Sequence, residues 1–167
     1  MYGNQYDKLL LYNQYNIMQN MTQDPEETQN YKNMQRLLSR NQCVDSISVL
    51  LSHKSQDVSE VIDILTLCER LQKLFVITLR DPAIDFELIK FKGFDQRSES
   101  VQLQIAQTII EELEDFYYLR LVNYEAREPM LPVYRAMLKV YNETKNIIDL
   151  KLYTEKVNKL INNNLDT

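Results

Sequence analysis

The residues from Ser98 to Val122 read SESVQLQIAQTIIEELEDFYYLRLV, and this stretch decides the predicted fold. Its apolar residues recur every three or four positions, as on the buried face of an amphipathic helix: Val101, Ile105, Ala106, Ile109, Ile110, Leu113, Phe116 and Tyr117. Ser98 and Ser100 are candidate N-caps for this helix. The pattern therefore predicts one long helix that ends near Asn123 and on which the other segments pack.

The segments on either side also show helical spacing. They predict helices at about 4–20, 25–40, 44–51, 56–79, 82–92, 131–144 and 147–161, with frayed ends at 1–4 and 162–167. Asp24-Pro25 and Asp81-Pro82 are expected helix starts, and Gly93 stands where a C-cap glycine belongs. The run from Leu74 to Leu79 is also β-prone, so a short strand is the local alternative there.

The composition favours a helical protein. The 167 residues include two glycines and four prolines, whereas an all-β fold needs many glycine-bearing turns. The prolines fall at predicted helix starts or links, so none of them interrupts a long helical pattern. We therefore predict an all-α, single-domain fold over 1–167, a multi-helix bundle of about seven or eight helices.

Net charge and cysteine content indicate which partners and which cellular compartment to expect. The net charge is −5, which disfavours non-specific binding to nucleic acid. Cys43 and Cys68 are expected to be buried thiols in a reducing compartment, with a disulfide between neighbouring helices as the minor alternative. A signal peptide and an apolar run of about 20 residues are both missing from the sequence. We expect an intracellular protein of the cytoplasm or nucleus that does not enter a membrane.

Neither a catalytic site nor a cofactor or metal site is indicated by the sequence. His53 is the only histidine, which excludes sites that need two. The carboxylates around Glu111 are expected to lie on a solvated helix face rather than to divide acid and base roles. Lys90, Lys92 and Arg97 alternate with Phe91 and Phe94, a mixture that can hold single-stranded nucleic acid but is better explained as a helix joint. We predict that the protein is not an enzyme.

A partner-binding face is expected along the 98–122 helix. The chain has eleven tyrosines and no tryptophan, and tyrosine is enriched at interfaces. The predicted contact residues are those on the polar side of the helix, together with two tyrosines off its main stripe: Gln104, Gln107, Glu111, Glu114, Asp115, Tyr118 and Tyr124. The expected partner is another protein that presents an amphipathic helix or a basic segment.

The helices between about 44 and 122 resemble HEAT or armadillo helical hairpins. The features that carry the resemblance are Asp81-Pro82 at a helix start and the spacing of Asp95, Val101, Ala106, Ile109 and Leu113. The resemblance implies a scaffold that binds other proteins along one face and has no activity. A closed bundle fits the same pattern, because no repeat period of 33 to 47 residues is visible.

The predicted function is a non-catalytic interaction or adaptor module. The alternative is a homo-oligomeric structural or regulatory protein, of which a viral or phage regulator is one form. The last helix carries a short coiled-coil-like stripe that would form the oligomer interface: Leu150, Tyr153, Val157 and Leu160.

Overall fold

The computed structural model describes residues 3–40, 48–112, 116–121, 123–144 and 149–165. In these ranges the α-helices are α1 (Gly3–Met21), α2 (Pro25–Ser39), α3 (Ser55–Ile77), α4 (Phe86–Ile89), α5 (Ser100–Gln107), α6 (Leu131–Thr144) and α7 (Leu150–Leu165). Short 3-10 helices cover Ser48–Ser52 and Tyr117–Leu119, and a π-helix covers Thr108–Glu112. The described residues form no β-strand, so the all-α prediction is confirmed.

Helix α3, rather than the stretch 98–122, is the centre of the bundle. Helices α2, α4, α5, α6 and α7 and the 117–119 turn all contact it. Its buried apolar residues cover two sides of the helix: Val58, Val61, Ile62, Ile64, Leu65, Leu67, Cys68 and Leu71. Burial raises the pKa of the Cys68 thiol, which is free, while Cys43 lies outside the described residues.

The prediction of one continuous helix from Ser98 to Asn123 is wrong. Helix α5 ends at Gln107 and passes into the π-helix, and Phe116 then has a φ of 50°, which a right-handed helix does not allow. Phe116 is buried, with the Arg40 guanidinium carbon 3.9 Å from the centre of its ring. Packing of this ring under α2 offsets the cost of the unusual backbone. Residues 113–115 and 122 lie outside the described ranges.

The two Asp-Pro pairs have different outcomes. Asp24 caps α2 as predicted, because its Oδ1 accepts a hydrogen bond from the Glu26 amide at 2.9 Å. Asp81 instead accepts from the Ala83 amide in a turn, and the helix that follows begins only at Phe86, with Asp85 as its N-cap. The predicted helix at 82–92 therefore shrinks to the four residues of α4.

Three further predictions concern the ends of helices. The β-prone run remains helical to Ile77, and Leu79 and Arg80 then take positive φ values that end α3. The 44–51 helix is described only from residue 48 onward, where the chain forms a 3-10 helix. Asn162 to Leu165 belong to α7, and the predicted fraying from 162 onward stays a prediction.

The predicted serine N-caps are also absent. Glu99 occupies the N-cap position of α5, and the Ser98 amide and hydroxyl both donate to the Asp95 carboxylate, at 2.8 and 2.7 Å. Glu99 is buried, and its carboxylate accepts from the amides of Asp95, Met130 and Leu131 at 3.0, 3.0 and 2.6 Å. A carboxylate at this point caps the positive N-terminus of α6 and links it to the 95–99 turn.

Gly93 marks a crossing of two chain segments rather than a helix C-cap. The Phe94 amide donates to the Tyr124 carbonyl and the Ala126 amide donates to the Phe94 carbonyl, each at 2.9 Å. The Gly93 φ of 82° and its close approach to Tyr124 leave no room for a side chain, since a Cβ would lie 1.9 Å from the Tyr124 carbonyl oxygen. The buried Tyr134 hydroxyl accepts from the Lys92 amide and donates to the Gly93 carbonyl.

The stripe on α7 lies inside the chain's own core. Leu150, Tyr153 and Val157 are buried and Leu160 packs against the same cluster. The Tyr153 hydroxyl donates to the Met137 carbonyl of α6 at 2.8 Å. These side chains are therefore occupied by intrachain packing, and the predicted oligomer interface at this stripe is wrong.

Replacing Gly93 by alanine should destabilise the protein. The positive φ and the clash with the Tyr124 carbonyl together should cost at least about 2 kcal/mol, which corresponds to a fall in Tm of about 4 to 8 °C. Thermal unfolding followed by circular dichroism measures this fall. The control Gly3→Ala, at the first residue of α1, should change the Tm by less than about 2 °C. Equal Tm values for the two variants would contradict the crossing.

Replacing Glu99 by glutamine should also reduce stability. One carboxylate oxygen becomes an NH₂ group that cannot accept a hydrogen bond, and we expect a loss of about 1.5 to 3 kcal/mol in the free energy of unfolding. Urea denaturation measures the loss, and Glu128→Gln at an exposed glutamate is the matched control. If both variants unfold at the same urea concentration, the capping role of Glu99 is wrong.

Candidate protein-binding surface

An apolar cleft opens where α3 ends. Val76 and Ile77 in the last turn of α3 are 58% and 73% exposed, and Tyr118 beside them is 70% exposed. With Gln72 and Lys73 they line a cleft of about 420 Å³. Large apolar side chains grouped at an open surface of a soluble domain mark an interaction site more often than scattered ones do.

The backbone at 116–119 explains why Tyr118 points outward. Phe116 and Leu119 are both buried, and the Leu119 amide donates to the Phe116 carbonyl at 2.7 Å, which closes a tight turn. Tyr118 lies within this turn, and its side chain is exposed. Tyr118 is therefore presented to the cleft by a fixed turn rather than by a loose loop.

The rim of the cleft carries positive charge. The Lys73 ammonium lies 5.4 Å from the centre of the Tyr118 ring, within the range of a cation–π contact. The same ammonium lies 3.2 Å from Glu69, whose other carboxylate oxygen is 2.9 Å from the Arg40 guanidinium. Glu69 is therefore paired with both cations, and of these three groups Lys73 lines the cleft.

The predicted acidic strip does not form a free anionic surface at Glu111. Its carboxylate accepts from the Arg120 Nε at 3.1 and 3.3 Å and from the Tyr124 hydroxyl at 2.7 Å. The Arg120 hydrogen bond, followed by that of Tyr124, holds the pKa of Glu111 below its usual range. Gln104 and Gln107 are exposed as predicted, while Glu114 and Asp115 lie outside the described residues.

The sequence analysis predicted Tyr124 to be a surface contact residue, but the structure buries it. It is only 5% exposed, and burial, with the Glu111 hydrogen bond, raises its pKa to about 12. The sequence analysis placed both tyrosines on one binding face. In the structure Tyr118 lies at the cleft and Tyr124 lies in the core. The sequence analysis did not identify Lys73, Val76 and Ile77 as residues of the binding surface. The run from Leu74 to Leu79 contains more apolar residues than one buried helix face accommodates, and this excess was a signal for Val76 and Ile77.

The basic and aromatic residues near Phe91 form a structural joint. Phe91 and Phe94 are buried and pack on each other and on Tyr134, so their rings are not available to stack on bases. The Lys90 ammonium lies 2.6 Å and the Lys92 ammonium 3.8 Å from the Glu87 carboxylate. The helix-joint interpretation is therefore supported over the nucleic-acid one.

The described ranges contain neither a cluster of metal-binding side chains nor a helix that could cross a membrane. No three histidine, cysteine, aspartate or glutamate side chains there are grouped as metal ligands would be. None of the helices described has both the length and the apolar character that a membrane span requires.

Comparison with known families identifies the chain's relatives. The YfbU domain matches residues 1–163, which is nearly the whole sequence. The chain belongs to the YfbU family. The resemblance to HEAT or armadillo repeats over 44–122 is therefore wrong, and the turn at Asp81 also removes the helix start that suggested it. No curated protein matches this chain.

Glu111→Gln should change the pH dependence of stability. Because the pKa of Glu111 is lowered in the folded state, its contribution is present above the unfolded pKa of about 4.3 and is lost as the pH falls through the folded value. The variant should be less stable than the wild type at pH 7, with the difference shrinking below about pH 4. Urea denaturation between these pH values measures it. A difference that stays constant with pH, as expected for the exposed control Glu128→Gln, would contradict the pairing.

Proposed function

We propose that this protein is a non-catalytic interaction module that binds an amphipathic helix of another protein in the cleft formed by Val76, Ile77 and Tyr118. The observation that carries the proposal is the grouping of these three exposed apolar side chains at the end of the most deeply buried helix of the bundle. Such a cleft accepts apolar side chains spaced one helical turn apart on a partner.

The rigidity of the site supports this function. Helix α3 is fixed by core packing over most of its length, and the turn that presents Tyr118 is anchored by buried Phe116 and Leu119. A site that is formed before binding loses little conformational entropy when a partner docks. Tyrosine suits such a site because it offers a large contact area with few rotatable bonds.

The charge at the rim favours a partner helix with acidic residues beside its apolar stripe. The Lys73 ammonium lines the cleft beside Tyr118, where an acidic side chain of a partner could pair with it. The basic segment, the other partner considered from the sequence, is less well matched, because Glu111 is already paired with Arg120. Complementary charge would contribute more to the association rate and to specificity than to raw affinity.

A displayed library of about 20-residue helical peptides tests the proposal. Peptides that bind the wild type should share an apolar stripe with acidic flanks, and their affinity should fall at least about tenfold for Ile77→Asp and for Tyr118→Ala. Leu152→Asp, at a half-exposed leucine of α7, is the matched control and should bind as the wild type does.

A substitution at Lys73 tests the preference for acidic partners. Lys73→Glu should weaken acidic peptides about threefold to tenfold, mainly through slower association that depends on salt. Fluorescence anisotropy measures affinity and stopped-flow mixing measures the rates. A library that yields no binder, or binders that are unaffected by Ile77→Asp and Tyr118→Ala, would show that the cleft is not an interaction site.

A further inference from the structure

Helix α1 carries a second exposed apolar surface, independent of the cleft. Tyr6, Leu10, Ile17 and Met21 are 70%, 57%, 57% and 77% exposed. At 100° per residue they lie within about 60° of one another around the helix axis, and they form one straight stripe along α1. Leu9, also 57% exposed, flanks this stripe. We refer to these five residues as the α1 stripe.

The opposite side of α1 is the one that holds it to the bundle. Leu11 and Tyr15 pack against the core, and the Tyr15 ring stacks on Tyr31 of α2 with 5.9 Å between the ring centres. The Tyr12 carbonyl accepts from the Gln35 side chain of α2 at 3.4 Å. Helix α1 is thus apolar on two sides, and the described residues pack against only one of them.

The spacing of the α1 stripe is symmetric about its own centre. Tyr6 and Met21 lie equally far from the midpoint between Asn13 and Gln14, and so do Leu10 and Ile17. A two-fold axis through this midpoint therefore sets Tyr6 of one copy against Met21 of the other, and Leu10 against Ile17. Asn13 and Gln14 are exposed at the crossing point, and each of their amides can both donate and accept a hydrogen bond across the axis.

The charge pattern also fits a second copy of the same chain. No charged residue occurs from Leu9 through Gln23, although the whole chain carries a net charge of −5. Two copies can therefore approach along this helix without like charges facing each other, whereas a charged partner would find no complement there.

The area of the stripe is sufficient for a dimer of moderate affinity. At about 120 Å² of exposed surface for each of its five side chains, two copies together would bury about 1,200 Å², the lower end of the range for specific interfaces. Side chains of α2 beside the stripe would add to this area if the two helix hairpins pack side by side.

We propose that the α1 stripe is a self-association surface, on which two copies of this chain form an antiparallel, two-fold symmetric helix pair centred between Asn13 and Gln14. This dimer uses side chains of α1, whereas the described lining of the cleft comes from α3 and the 117–119 turn. It therefore stands or falls independently of the proposed helix-binding function.

Light scattering and sedimentation from about 1 to about 500 μM test the dimer, because this range covers micromolar dissociation constants. The mass should rise with concentration towards twice the chain mass of 19.9 kDa. A mass that stays at 19.9 kDa throughout would overturn the proposal.

Charge substitutions locate the interface and its direction. Leu10→Glu and Ile17→Lys should each weaken the dimer at least about tenfold, because each puts a charge against an apolar side chain of the other copy. The double variant should recover most of the affinity, because the antiparallel pair sets Glu at 10 against Lys at 17 of the partner. In a parallel pair the double variant would place like charges opposite each other and would not recover. Within one copy the two positions are about 10 Å apart, so an ion pair inside a single chain would not explain the recovery.

Two controls separate binding from folding. Leu152→Glu introduces the same charge at a half-exposed leucine outside α1 and should leave the dimer unchanged. Circular dichroism and Tm should be unaltered in the α1 variants, because the substituted side chains face solvent in the single chain. A dimer that survives Leu10→Glu, or a double variant that remains monomeric, would overturn the antiparallel arrangement.

Discussion

The two-sided burial of α3 is the constraint on which the rest of the structure depends. A helix that is apolar on two sides must be covered on both, and in this chain five other helices and the 117–119 turn supply that cover. The inward-facing side chains of α3 are buried from Val58 to Leu71. In the last turn of the helix, Val76 and Ile77 are exposed. The same helix therefore forms the core at one end and an open apolar surface at the other.

The segments between α3 and α6 are held by polar and steric contacts rather than by long helices. Glu99 caps α6 with a buried carboxylate, Gly93 permits the close approach of Tyr124, and Glu111 joins Arg120 to Tyr124. These contacts are few and specific, so each fixes the position of a whole segment. Together with buried Phe116 they determine where Tyr118 lies relative to α3.

The two exposed apolar surfaces differ in charge, and this difference is why we propose different partners for them. The cleft at the end of α3 is lined by Lys73, which would suit acidic neighbours. The α1 stripe has no charged residue over its length from Leu9 onward and is symmetric about its own centre, which suits another copy of itself. A dimer that leaves both clefts open would present two helix-binding sites, and a partner with two such helices would gain avidity.

The sequence by itself determined the class of fold and most helix positions, because scarce glycine, helical periodicity and the Asp24-Pro25 start are local signals that tertiary contacts did not override. Only the tertiary structure decided that the helix changes to a π-helix after Gln107 and that Phe116 then takes a positive φ, since burial of Phe116 against Arg40 offsets the cost of that backbone. The sequence likewise identified only part of the candidate site. Tyr118 was found from sequence, but Tyr124 and the α7 stripe entered the core. Periodicity shows that a face is apolar without showing whether the same chain or another molecule covers it.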